Sequence, residues 1–302
     1  MTTAALPHGK KIADVSELVG GFEKLGYITD RALATVVFLQ LKLGTPILLE
    51  GHTGLGKTEV AKVLARFLDT PLIRLQCYEG LDVNSAVYEW NYQKQLLAIK
   101  LQEGTNKTVE DKEKLVFGPD FLLERPLLEA VRAETGSPVL LIDEVDRADE
   151  AFEAFLLELL SDFQVSIPEL GTIKARYIPY VVLTSNRSRD LSEALKRRCL
   201  YHWIDYPSMA KELKIVAARL PGIDQQLSRQ VVGFVQLLRR LDLSRSPGIA
   251  ETLDWAKSLV ALDLKSLDGE AIETTLGCVS KSMEDMAKIR NAGIEKMLSE
   301  VT

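Results

Sequence analysis

The sequence predicts an α/β protein: a parallel sheet flanked by helices, followed by a small all-α domain. Three observations predict it. Short apolar runs alternate with helical-period segments up to about residue 206, the pattern of buried parallel strands joined by helical crossovers. A glycine-rich octapeptide, Gly51-His52-Thr53-Gly54-Leu55-Gly56-Lys57-Thr58, lies between the first apolar run and a helix. From Pro207 to Thr302 the periodicity is helical throughout.

Composition fits this and excludes several classes. With 302 residues, 46% hydrophobic and 26% charged, the chain is neither disordered, collagen-like nor a disulfide-rich miniprotein, and it is long enough for about two domains. A net charge of −6 and a pI near 5.4 argue against a general nucleic-acid binder. Cys77, Cys199 and Cys278 are far apart, with no CxxC and no Cys/His pair at zinc spacing. They read as small apolar residues in a reducing compartment. No secretory apolar core opens the chain, and no apolar run reaches the roughly 18 residues of a membrane span. The expectation is a cytoplasmic protein.

In chain order, residues 1–28 carry Gly20, Gly21 and Gly26 and little periodicity, and read as an N-terminal arm. Residues 30–43 predict a helix with Asp30 as N-cap and Leu33, Val37 and Leu41 on one face; Gly44 and Pro46 end it. Ile47-Leu48-Leu49 reads as the first strand. Lys57 opens a helix to about Leu68, with Val60, Leu64 and Phe67 on one stripe. Leu72-Ile73-Arg74-Leu75 is a second strand. Residues 80–114 read as an insertion, helical over 87–101 and then a solvated charge run. A helix at about 121–134 precedes the apolar strand 138–142, which ends in Asp143-Glu144. A helix at 149–162, a hairpin at about 163–178 (Pro168 and Gly171), the strand 180–184 and a last strand at 200–204 complete a core spanning 29–206. Residues 207–302 form the all-α domain.

The chemistry concentrates in four places. The octapeptide matches GxxxxGK[ST] in full. Its glycines let backbone N–H groups turn inward around a phosphate at a helix N-terminus, whose dipole favours anions. Lys57 brings positive charge to the β/γ phosphates, and the Thr58 hydroxyl serves Mg²⁺. Asp143 closes an apolar strand at the carboxyl edge of the sheet, where ligands of open α/β folds bind, and can hold Mg²⁺ directly or through water. Glu144 can take a proton from, or orient, an attacking water. Asn186, at the end of the next strand, would stand beside the γ-phosphate. Arg197 and Arg198, after a short helix, offer a guanidinium to a neighbouring subunit's γ-phosphate.

This order of phosphate loop, Asp-Glu strand, strand-end Asn and Arg before the last strand, then a helical lid, resembles the AAA+ ATPases, a P-loop NTPase family, over about residues 28–300. Within them it is similar to the MoxR group, in the run 142–149 (Ile-Asp-Glu-Val-Asp-Arg-Ala-Asp). Residues 155–171 and 247–255 look like the CoxD-type members, which are encoded with aerobic carbon monoxide dehydrogenase and related molybdenum hydroxylases. The resemblance implies ATP and Mg as cofactors and a homo-hexameric ring with nucleotide between subunits. It also implies a von Willebrand factor A domain partner, and a chaperone-like action in maturing a target such as carbon monoxide dehydrogenase. Residues 51–58 would be Walker A, Asp143 and Glu144 Walker B, and Asn186 sensor 1. Arg198, with Arg197 beside it, would be the arginine finger. The hairpin at 163–178 would be the pre-sensor insertion, and 80–114 would hold the helix-2 insertion.

One departure stands out: the lid position where relatives carry a second-sensor arginine is Gly248, with Arg245 three residues earlier. Asn106-Lys107-Thr108-Val109 begins like a guanine-reading motif but lacks its acid, which favours ATP. His52 reads as a loop filler, Trp255 as lid core, and Gln76 as a side chain able to restrain Glu144. Two other functions share the fold: a nucleic-acid-stimulated motor, disfavoured by the acidic balance, and a nucleotide-controlled binding switch with little turnover.

Overall fold

A computed structural model describes residues 12–102, 108 and 116–301. Nine strands are present among them: β1 (Ile47–Gly51), β2 (Leu72–Gln76), β3 (Tyr88–Trp90), β4 (Leu122–Glu124), β5 (Val139–Asp143), β6 (Gln164–Ile167), β7 (Gly171–Lys174), β8 (Tyr180–Ser185) and β9 (Leu200–Ile204). Five build one sheet in the order β2-β5-β8-β1-β9. The pairs β2/β5, β5/β8 and β1/β8 are parallel, with Gln76 opposite Asp143, Ile142 opposite Leu183 and Glu50 opposite Ser185. Parallel pairing brings the carboxyl ends of these strands to one edge, so the chain segments leaving Gln76, Asp143 and Ser185 start side by side.

The continuous apolar runs mark the central strands. β1, β5 and β8 are buried at every position, as expected when helices cover both faces. β2 lies at the edge and alternates instead, with Ile73 and Leu75 buried and Arg74 and Gln76 exposed. One sheet face (Leu48, Ile73, Leu140, Ile142, Val181, Leu183) packs on Leu127, Leu128, Phe152 and Leu156. Each such large apolar side chain taken from water contributes about 1.5–3 kcal/mol.

Local chemistry sets the helix ends. The helix Glu150–Asp162 starts where the Asp149 carboxylate accepts the Phe152 N–H at 2.8 Å, and it carries Glu150 and Glu153 in its first turn. It stops at Phe163, held at φ +47°. The antiparallel hairpin β6/β7 follows at once, at the place the turn residues indicated.

Elsewhere the elements differ from the sequence reading. The arm contains a helix, Val15–Lys24, with Leu18 and Phe22 fully buried; Gly20 and Gly21 sit inside it and hide its periodicity. The stretch read as helical over 87–101 opens with β3 and only then forms the helix Tyr92–Leu101, capped by Asn91. The helix read over 121–134 shrinks to Pro126–Val131, because β4 pairs with β3 and Pro126 takes the first helical turn. Residues 103–107 and 109–115 of the insertion, and with them most of the guanine-like run, lie outside the described residues.

The described residues form two compact units, the first comprising Ala32–Glu50 and Ala61–His202, the second Ser16–Arg31, Gly51–Val60 and the chain from Trp203. The second unit contains the phosphate-loop segment together with the helices Met209–Arg219, Gln225–Leu238, Ile249–Ala261, Gly269–Val279, Met283–Ala292 and Ile294–Ser299. Trp255 is fully buried in its core, 5.6 Å from the Phe234 ring, and donates its indole N–H to Thr275 Oγ1 at 2.7 Å. It is a core residue of this unit. Glu212, also fully buried, accepts from Arg239 at 2.6 and 2.8 Å, Thr252 at 2.7 Å and Gln236 at 2.8 Å, which leaves that charge fully partnered. Among the described residues no helix is long and apolar enough to cross a membrane, and no group of His, Cys, Asp or Glu is arranged to hold a metal by itself.

Asp285 anchors the loop before the helix Ile249–Ala261. Its carboxylate accepts the Ser244 N–H and hydroxyl, both at 2.8 Å, and the Arg245 N–H at 3.1 Å. Burial pushes its carboxyl up, but these bonds and the nearby Lys288 charge pull harder, so it lies below the ordinary carboxylate range. A depressed folded-state value stabilises above the unfolded value near ~3.9 and is lost as pH falls through the folded one. Asp285→Asn is expected to cost about 1.5–3 kcal/mol at neutral pH. It should also flatten the acid-side fall in stability, both read by urea unfolding from pH 2 to 7.

Candidate functional site

The phosphate-loop segment belongs to the second unit. β1 runs into it, and Lys57 starts the helix Lys57–Leu68. Gly54 and Gly56 hold φ +81° and +85°, which residues bearing a Cβ rarely adopt; these turns let the loop N–H groups face inward. The Lys57 ammonium is buried and donates to the carbonyls of Gly51 at 2.8 Å and His52 at 2.7 Å. It is therefore already drawn over the loop. The His52 ring stacks on Tyr206 at 5.3 Å and meets Trp203 edge-on at 5.7 Å, so it fills space beside the loop, as read.

Gly248, the N-cap of the helix Ile249–Ala261, lies against this loop. The Ala250 N–H donates to the Gly54 carbonyl at 3.1 Å, and a Cβ on Gly248 would stand 2.9 Å from the Gly54 carbonyl carbon and oxygen. That contact is with backbone, so an arginine cannot occupy the position without moving the helix Ile249–Ala261. The Glu251 carboxylate accepts the Gly248 N–H at 3.0 Å and pairs with Arg245 at 3.3 Å. Gly248→Ala is expected to destabilise the chain by about 1–3 kcal/mol through overpacking, measured by urea unfolding.

The acidic pair belongs to the first unit and sits in a hydrogen-bonded network. Asp143 is buried. Its Oδ1 accepts the Thr184 hydroxyl at 2.6 Å, and its Oδ2 accepts Arg74 Nη2 at 2.6 Å and Nε at 3.1 Å. Glu144 takes a left-handed backbone conformation (φ +55°), and its N–H donates to the same Thr184 oxygen at 2.9 Å. This turn aims Asp143 and Glu144 differently although they are adjacent. Glu144 Oε2 accepts the Gln76 amide at 3.1 Å, and Oε1 accepts the Asn186 amide at 3.3 Å. Arg74 also donates to Gln76 Oε1. The buried Asp146 carboxylate orders the loop after β8, accepting the N–H of Asn186 at 3.2 Å and of Ser188 at 2.8 Å. Below this cluster, burial and the charges of Asp143, Asp146 and Glu144 push the Cys77 thiol up to about 12, so Cys77 stays a neutral, buried neighbour.

Arg197 and Arg198 are exposed at the end of the helix Glu193–Arg197. Arg198 donates through Nε to Ser161 Oγ at 2.9 Å and through Nη1 to the Ala194 carbonyl at 3.4 Å. The Arg197 side chain makes no hydrogen bond or ion pair among the described residues.

Residues 46–199 match the family model described as the AAA domain of the dynein-related subfamily, just over half of the chain. The chain belongs to this AAA family. The AAA chain is 26% identical over 235 residues to the gas vesicle ATPase GvpN of Haloferax mediterranei, covering 74% of its own length and 64% of that relative's. It is 29% identical over 230 residues to an uncharacterized protein of Staphylococcus aureus (strain USA300), covering 73% and 77% of the two chains. Among solved structures it is similar to the Thermotoga maritima RuvB Holliday junction branch migration motor, at 16% identity and a TM-score of 0.46, over 95% of this chain and 86% of that one.

Within the AAA chain, the structure brings together Asp143, Glu144, Asn186 and Gln76, the side chain read as able to restrain Glu144. Sequence reasoning missed three contributors: Arg74 on Asp143, Thr184 bridging Asp143 to the Glu144 backbone, and Asp146 behind Asn186. A usable signal existed for the first. Arg74 and Gln76 are polar at i, i+2 in an otherwise apolar strand, which places both on one face.

Proposed function

We propose that this AAA protein is an ATP-hydrolysing chaperone of the MoxR group that acts on a metalloenzyme, with carbon monoxide dehydrogenase or a related molybdenum hydroxylase as its target. The observation that carries the hydrolytic part is the Gln76–Glu144–Asn186 arrangement: a carboxylate at the sheet edge, oriented by two amides. A binding switch has no need of a positioned base.

The donor set suits the expected cofactors. Buried Asp143 and the Thr58 hydroxyl are hard oxygen ligands, and Mg²⁺ is held by one or two such groups plus nucleotide phosphates rather than by a protein cage. Mg²⁺, when bound, offsets the phosphate charge that develops during transfer. The residues would then act as follows. The N–H groups of Gly51 to Thr58 (Gly51, His52, Thr53, Gly54, Leu55, Gly56, Lys57, Thr58) cradle the phosphates. Lys57 exchanges its two carbonyl partners for phosphate oxygens. Glu144 accepts the proton of the attacking water, Asn186 and Gln76 hold that carboxylate, and Arg198 or Arg197 reaches a neighbouring subunit in a hexameric ring. The similarity to a gas vesicle ATPase supports the hydrolytic reading. The target assignment rests on the resemblance of residues 155–171 and 247–255 to CoxD-type sequences, as do the von Willebrand factor A domain partner and a cytoplasmic setting.

The target is tested by producing a carbon monoxide dehydrogenase with the native chain or with Lys57→Ala. The expected result is an unchanged yield of dehydrogenase with its specific activity and active-site metal content reduced at least tenfold in the variant. Equal metal content in both would remove the maturation role.

A further inference from the structure

We propose that Arg74 is a built-in rival of the divalent cation for Asp143, so that this protein demands more free Mg²⁺ for nucleotide binding than its ligands alone would require. The inference rests on the nucleotide-site reading above and deepens it.

The observations lie within the first unit. Both Asp143 oxygens are engaged: Oδ1 by the Thr184 hydroxyl at 2.6 Å, Oδ2 by Arg74 through Nη2 at 2.6 Å and Nε at 3.1 Å. The carboxylate side chain is 3% exposed, whereas that of Arg74 is 48% exposed. Asp143 therefore has little water of its own, and the guanidinium supplies positive charge where a cation would otherwise be attracted. A cation held by Asp143, directly or through water, would compete with the guanidinium for this carboxylate and would be repelled by its like charge. Binding would thus favour withdrawal of the guanidinium. Its exposure makes withdrawal feasible, because water can solvate the freed group. The geometry also distinguishes Arg74 from an ordinary surface pair: two donors of one guanidinium converge on a single buried oxygen, a charge-assisted contact stronger than a neutral hydrogen bond. The arrangement follows from the sheet. Arg74 sits on edge strand β2, two residues before Gln76, whose register partner is Asp143, so its long side chain reaches along the strand to the carboxylate.

The test is an equilibrium one and needs no turnover. A fluorescent ADP analogue is titrated into the full chain in EDTA and across a series of free Mg²⁺ concentrations. Arg74→Gln is expected to lower the Mg²⁺ midpoint about fivefold, the size suited to a half-exposed pair. Affinity in EDTA should stay within twofold of the native chain, which shows the fold and the phosphate loop intact. Arg74→Met repeats the test while keeping the aliphatic stem. Arg74→Lys, which keeps the charge, should leave the midpoint within twofold. An unchanged or raised midpoint in both Arg74→Gln and Arg74→Met, with EDTA affinity retained, overturns the rivalry and leaves the nucleotide site standing. No nucleotide binding by the native chain in any condition overturns the nucleotide reading and the rivalry together.

Discussion

Glu144→Gln is expected to retain nucleotide and lose turnover by about 10²–10⁴-fold, the range for removing a positioned general base. Glutamine keeps the shape: its Oε1 can still accept the Gln76 amide, and the Asn186 amide can turn to accept from its Nε2, so the fold and the phosphate loop are not disturbed. Only the capacity to accept a proton is lost. Lys57→Ala should do the opposite. It removes the charge that the loop already holds over its own carbonyls at 2.7–2.8 Å, and nucleotide affinity should fall below detection. The two variants separate binding from chemistry when a fluorescent nucleotide titration and a phosphate-release assay are run on the same preparations. Glu144→Gln turning over at the native rate would move the base elsewhere. The neighbouring Asp143 is poorly placed for that role, since its carboxylate is buried and paired with the Arg74 guanidinium.

The network around Glu144 shows how much of the site could be read from the sequence. The strand-loop-helix context of 51–58, the apolar strand ending in Asp143-Glu144 and the polar end of β8 were each legible, because local pattern places a residue on an element and at its end. Contacts between strands were legible only in part. Gln76 on Glu144 was named, but Arg74 reaches Asp143 only because β2 lies beside β5 in the sheet order, and one sequence does not reveal which strands are neighbours. The bridging role of Thr184 depends on the left-handed turn at Glu144, which no residue preference at that position announces.

The fold shows the same division. Long apolar runs gave the central strands to within one or two residues, since full burial leaves a simple signature. The errors cluster where short elements compete. Tyr88–Trp90 and Leu122–Glu124 are three-residue strands that exist through pairing with each other, and a helical pattern nearby absorbed both. The helix Val15–Lys24 was hidden by two glycines, each of which costs about 1 kcal/mol in a helix interior. It forms because Leu18 and Phe22 bury completely, so tertiary packing overrides local preference.

Arg198→Ala is expected to leave nucleotide affinity unchanged while turnover falls by about 10³, the lower range for removing an arginine that acts on a neighbour's phosphate. In the single chain Arg198 is exposed and held by neutral contacts only, through Nε to Ser161 Oγ at 2.9 Å and through Nη1 to the Ala194 carbonyl at 3.4 Å. Such contacts are weak enough to be exchanged for a phosphate oxygen, because a hydrogen bond to a charged group outcompetes one to a neutral group. Arg197, exposed and without a side-chain hydrogen bond among the described residues, needs no partner to be displaced and is the direct comparison. An arginine acting across subunits makes specific activity depend on assembly, so turnover is measured across protein concentration with mass followed by light scattering. The native chain should gain activity steeply as a ring of about six forms. Arg198→Ala should form the same ring and stay slow. If Arg197→Ala carries the loss instead, the role passes to Arg197; if both rings hydrolyse ATP normally, or the native monomer is fully active at every concentration, the site is completed within one chain.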